Sequence, residues 1–90
     1  MAKKRERLEV IYDILNTVRE NSRGINPTRL QHKSNLSPQM FKEYTQELLE
    51  KKFIVLESEN DHKSYVITDK GYEFLSKYKQ AMELIQNFGL

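Results

Sequence analysis

FIVLESENDHKSYVITDKGYEFL, residues 53–75, decides the fold, because its apolar period changes from two to about three and a half within one short stretch. Residues 53–58 and 63–68 are β-branched and aromatic runs flanking Glu59-Asn60-Asp61-His62, the pattern of a β-hairpin. With Asn60-Asp61 at the tip, Leu56 pairs with Tyr65 and Ile54 with Ile67, so one face is apolar throughout. A bare two-stranded hairpin is marginal in water, so this face must lie on helices. Thr68 then caps a helix with Asp69 in its first turn, where a negative charge suits the helix dipole. Gly71, Phe74, Tyr78, Ala81, Ile85 and Phe88 follow at alternating steps of three and four. They form a heptad seam, broadened by Leu75 and Met82.

Upstream, Asn26-Pro27 and Ser37-Pro38 each set an N-cap side chain before a proline suited to the first helical position. The first predicts a short helix over 27–34. The second predicts a longer one over 38–51, with Met40, Phe41, Tyr44 and Leu48 on its apolar side. Only about three residues separate them, which makes a helix-turn-helix geometry. Residues 4–22 read as a further helix. Leu8, Ile11, Tyr12, Leu15 and Val18 cover roughly 120° of its surface, and Val10 with Ile14 widen the arc to roughly 200°. So wide a stripe predicts a second contact surface, with Val10 and Ile14 free to join it. Gly24 suits the left-handed position after this helix. The expected fold is mainly α with one β-hairpin (α+β), in the order helix, short helix, helix, hairpin, long helix.

Ninety residues make one domain with a thin core, 38% of them hydrophobic. No cysteine is present, so disulfides and thiolate metal sites are excluded, and oligomerisation is the staple left to a small chain. The longest unbroken apolar run, Phe53 to Leu56, is far too short to span a membrane. The basic start (Lys3, Lys4, Arg5, Arg7) leads into no apolar segment of the kind a secretory signal needs, so a cytoplasmic, nucleoid-associated location is expected. Residues 1–34 hold eight Lys/Arg against four Asp/Glu, and residues 35–90 hold seven against nine. A basic half suits a nucleic-acid partner.

The element order, closed by YVITDKGYEFL, resembles the archaeal winged helix-turn-helix proteins, in particular the small dimeric 10-kDa DNA-binding type. Ile67-Thr68-Asp69-Lys70-Gly71 after the second strand carries the resemblance most specifically. Glu47-Leu48-Leu49-Glu50-Lys51-Lys52-Phe53-Ile54 matches the link from recognition helix to wing. The likeness runs from about Leu8 to Phe88. It implies a winged helix-turn-helix over 1–68, a C-terminal coiled-coil helix over 69–90 that pairs antiparallel with a second copy, and double-stranded DNA as partner. Two features depart from the family. Lys52 stands where a glycine is usual, which predicts a strained or reshaped turn. The wing tip is acidic (Glu57, Glu59, Asp61), where DNA-binding wings are usually basic.

In a helix-turn-helix the second helix enters the major groove, and its exposed N-terminal residues meet base edges. On 38–51 these are Gln39, Lys42 and Gln46, with Ser37 able to hold a phosphate at the helix start. Glu43 and Glu50 share that face and oppose phosphates. Thr28 and Arg29, at the start of the short helix, are further phosphate contacts. Lys3, Lys4, Arg5 and Arg7 can follow the backbone as an arm, or serve only as a solubilising end. His62 and Lys63 can reach the minor groove, or form only a solvated turn. The expected dimer interface is Phe74, Tyr78, Ala81, Met82, Ile85 and Phe88, flanked by Val10 and Ile14. No catalytic residue, cofactor or metal site is expected. There is no phosphate-cradling glycine loop or nucleophile elbow, and His32 and His62 are too few and too far apart for zinc. The rival reading is a winged-helix module that docks a protein through its last helix or its acidic wing.

Overall fold

A computed structural model describes residues 6–90. The elements are α1 (Arg7–Glu20), α2 (Pro27–Ser34), α3 (Pro38–Glu50), β1 (Ile54–Glu59), β2 (His62–Ile67) and α4 (Asp69–Asn87). Each expected N-cap forms. Asn26 accepts from the Arg29 amide at 2.8 Å, Ser37 from Met40 at 3.2 Å and Thr68 from Gly71 at 3.2 Å. Asn35, left-handed at φ 55°, turns the chain from α2 into the cap of α3. The strands are antiparallel in the expected register, Ile54 opposite Ile67 and Leu56 opposite Tyr65, and Asn60 and Asp61 both take positive φ at the tip. That conformation matches the twist of a two-residue hairpin turn.

α1 is shorter than the 4–22 expected. Its N-cap is the extended Glu6 and its C-cap is Asn21. Gly24 is therefore not the left-handed residue that closes the helix. It sits at φ +108° in a later turn, where a Cβ would come within 2.7 Å of the Ser64 Cβ. This close approach brings Ile25 alongside β2, exchanging both backbone hydrogen bonds with Tyr65 at 2.8 and 3.1 Å. The hairpin thus gains a one-residue third strand.

The wide apolar arc of α1 needs no second molecule. α1 packs at once on α2, α4 and β2, so Val10 (3% exposed) and Ile14 (0%) lie in the domain's own core. Their assignment to the dimer interface is corrected: three neighbours use the stripe that one would not. Leu8, expected inside, is instead exposed. Val10, Ile14, Leu15, Val18, Ile25, Leu30, Phe41, Leu48, Ile54, Tyr65, Ile67 and Leu75 make one contiguous core.

α4 belongs half to this body. Gly71 is buried, and a Cβ there would meet the Phe53 carbonyl oxygen at 2.5 Å, so the first turn lies against the wing's backbone rather than in a free seam. Phe74 and Tyr78 are half-buried in an aromatic row: Phe53 meets Phe74 edge-on, and Tyr78 stacks on both Phe74 and Tyr12. Beyond Tyr78 every residue is exposed. Among the described residues no helix is long and apolar enough to cross a membrane.

Candidate nucleic-acid interface

α3 buries Phe41, Thr45 and Leu48. The opposite face carries Gln39, Lys42, Glu43, Gln46 and Glu50, all of them exposed, with the cap residue Ser37 at its start. Gln39, Lys42 and Gln46 therefore share one outward surface with two carboxylates among them, while Ser37 sits at the helix start with its Oγ accepting from the Met40 amide. Gln39 is not loose on that surface: its Nε2 donates to Glu43 Oε1 at 2.9 Å. Met40 departs from expectation. The apolar period places it on the inner side, yet it is 41% exposed near the start of the helix. Its period signal is ambiguous because position 40 falls at the edge of the apolar arc, and Phe41 beside it takes the core site.

The wing and α2 supply the second part of the surface. An open cleft of about 930 Å³ is lined by Asn26, Thr28, Arg29 and His32 on one side and Asp61, His62 and Lys63 on the other. Four residues that the sequence marks separately, Thr28, Arg29, His62 and Lys63, are thus brought together. His32 joins them, which spacing alone does not reveal because the cleft forms only when the hairpin folds back past α2. Glu59 pairs directly with His62 across the hairpin, and Glu57 with Ser64, so these acids share the strand face of His62. Lys63 lies on the other face, with Ser58 opposite it. Among the described residues no group of three or more His, Asp or Glu is placed to hold a metal ion.

Lys3, Lys4 and Arg5 lie outside the described residues. Arg7, grouped with them in the sequence, is committed elsewhere. Its guanidinium donates to Glu47 on α3, which also accepts from Lys51 Nζ at 2.6 Å. Hydrogen bonds from these two cations hold the Glu47 carboxyl down at about 2. The bridge ties the start of α1 to the end of α3 and removes Arg7 from any basic arm.

Among the described residues, four helices that include a helix-turn-helix, together with a hairpin wing, define the class, and a winged helix-turn-helix family model matches residues 4–86: the chain belongs to that family. Among solved structures it is similar to Sso10a-2, a DNA-binding protein from Sulfolobus solfataricus. That match has 24% identity, covers 93% of this chain and 85% of the other, and has a TM-score of 0.73. It is similar also to SSV1 F-93, with 24% identity, 98% and 99% coverage and a TM-score of 0.70. A third likeness is to a variant of MepR from S. aureus bound to an oligodeoxyribonucleotide. There the identity is 11%, the coverage 88% and 60%, and the TM-score 0.75. No curated protein matches the chain. The fold and the resemblance to small archaeal winged helix-turn-helix proteins, read from the sequence, are borne out.

Proposed function

We propose that the protein binds double-stranded DNA as a homodimer, acting in the nucleoid as a transcriptional regulator or an architectural protein. The observation that carries this reading is the outer face of α3, which offers Ser37, Gln39, Lys42 and Gln46 outward while its inner face is locked in the core. An α-helix fits the major groove, and amide and ammonium groups there find base edges and phosphates. Arg29 and Thr28 at the start of α2 take the flanking backbone, and His62 and Lys63 on the wing reach into the minor groove. Lys3, Lys4 and Arg5 supply further phosphate contacts as an arm. Family membership supports the reading, as do the likenesses to Sso10a-2, a DNA-binding protein, and to MepR in its oligodeoxyribonucleotide complex.

Residues 69–90, helical as far as Asn87, act as the pairing segment and 1–68 as the reading body. Ala81, Met82, Ile85 and Phe88 continue the heptad seam past the body and are exposed, Phe88 by 75%. Leaving Met82, Ile85 and Phe88 in water forgoes roughly 1.5–3 kcal/mol each. Coiled-coil spacing selects another helix as the partner, and the same helix of a second chain is the simplest one. Phe74 and Tyr78 contribute their outward edges.

Backbone amide resonances followed during titration with a mixed-sequence duplex test the interface. Perturbations should concentrate at residues 28–29, 37–46 and 62–63, sparing those beyond Ala81. Unperturbed α3 amides at saturating duplex would overturn the reading, and no interaction at all would favour a protein-docking module instead.

A further inference from the structure

Glu43 is out of place on a DNA-facing helix: it is exposed, and among the described residues no cation pairs with it. What it does hold is the amide of Gln39, one turn earlier on the same face, at 2.9 Å. A carboxylate can only accept, so the Gln39 nitrogen must be the atom turned toward Glu43, and Oε1 is turned away. The amide cannot flip without setting oxygen against oxygen. Of its two N–H groups and one carbonyl, one N–H is used by Glu43. One donor and one acceptor are left.

One donor and one acceptor are the complement of adenine, which shows N7 as acceptor and the N6 amino group as donor in the major groove. Guanine shows two acceptors, N7 and O6, and would leave Oε1 facing an acceptor. We infer that Glu43 is a positioning residue that holds Gln39 in the orientation that reads adenine and rejects guanine. The inference rests on the proposed reading of α3 as the groove-facing helix. It also gives the carboxylate a role: Glu43 weakens binding to every duplex through phosphate repulsion, and in exchange sharpens one base position.

The test is selection from a randomised duplex library with the full-length protein, followed by titration of the preferred duplex and of one carrying guanine in place of adenine. The relevant position is the one whose preference disappears in Gln39→Ala. A bidentate contact discriminates by roughly 5- to 150-fold, and the unsubstituted protein should prefer adenine within that range. Glu43→Ala, on an exposed helical site where alanine is well tolerated, should bind random duplex more tightly yet lose most of that preference. Glu43→Gln, uncharged but still able to accept from Gln39, should gain affinity and keep more of the preference than Glu43→Ala. Undiminished adenine preference in Glu43→Ala, or no adenine preference at the Gln39 position, would overturn the inference while leaving DNA binding intact. Failure of the unsubstituted protein to bind any duplex would overturn the function reading as well.

Discussion

Lys52 holds a left-handed backbone, φ 64°, at the turn that ends α3. The Lys52 amide donates to the Leu49 carbonyl at 3.1 Å and the Phe53 amide to Leu48 at 2.9 Å, the paired bonds of a Schellman closure. The Thr68 hydroxyl donates to the Lys52 carbonyl at 2.7 Å and fixes the turn from the far side of the hairpin. The glycine-like shape is therefore kept without glycine, so the turn is strained rather than reshaped. A non-glycine residue in this region costs about 1–2 kcal/mol, partly offset by the extra unfolded freedom glycine would bring. Lys52→Gly should stabilise the protein by about 0.5–1 kcal/mol, visible as a raised midpoint in urea. Glu47 gives a pH dependence at the same scale. Its carboxyl is held at about 2 by Arg7 and Lys51, below its ordinary 4.5, so the bridge contributes stability above pH 4.5 and loses it as the pH falls toward 2. The pair is exposed, so the effect is modest and salt-screened. In thermal melts the gap between the unsubstituted protein and Glu47→Gln should close on acidification and shrink in high salt. A gap that widens on acidification would contradict the assignment.

Elements with a local signature were legible. The three side-chain caps, the two prolines at helix starts and the hairpin register are written in adjacent residues, and all stand where their chemistry puts them. What was not legible depended on tertiary neighbours. No period marks Ile25 as a strand residue, since one residue has no alternation to show. Val10 and Ile14 could be placed inside only by knowing that α1 has three packing partners. Of the site, the outer face of α3 followed from its period, whereas the Gln39–Glu43 bond and the meeting of His32 with His62 did not. The division of labour between elements is testable. Gln39→Ala or Gln46→Ala on α3 should weaken binding to a preferred site more than to random duplex. Arg29→Ala on α2 should weaken both alike and make the salt slope shallower by about one for each phosphate it no longer neutralises. Equal weakening by all three on every duplex would make the protein a non-specific architectural binder.

The molecule measures 50 × 32 × 21 Å and has a radius of gyration of 14.0 Å, against about 12 Å for a compact chain of its length. The excess is α4, about 28 Å long for its 19 residues, whose distal half leaves the body. Leu84 (59% exposed) and Leu90 join Met82, Ile85 and Phe88 on that half, a larger apolar surface than the heptad seam alone implies. Apolar area of this kind on a small protein marks an interface. Ile85→Asp should give a monomer in sedimentation experiments, with DNA binding weakened because two reading heads are no longer joined. A monomeric unsubstituted protein at tens of micromolar would contradict the dimer. If the basic groups around α3 meet DNA phosphates, duplex affinity must fall with salt, and that dependence is the most direct measurement of DNA binding. With about four to six Lys/Arg of a dimer on phosphates, log K should fall against log salt with a slope of roughly −4 to −5. A slope near zero, or no measurable binding at low salt, would contradict it.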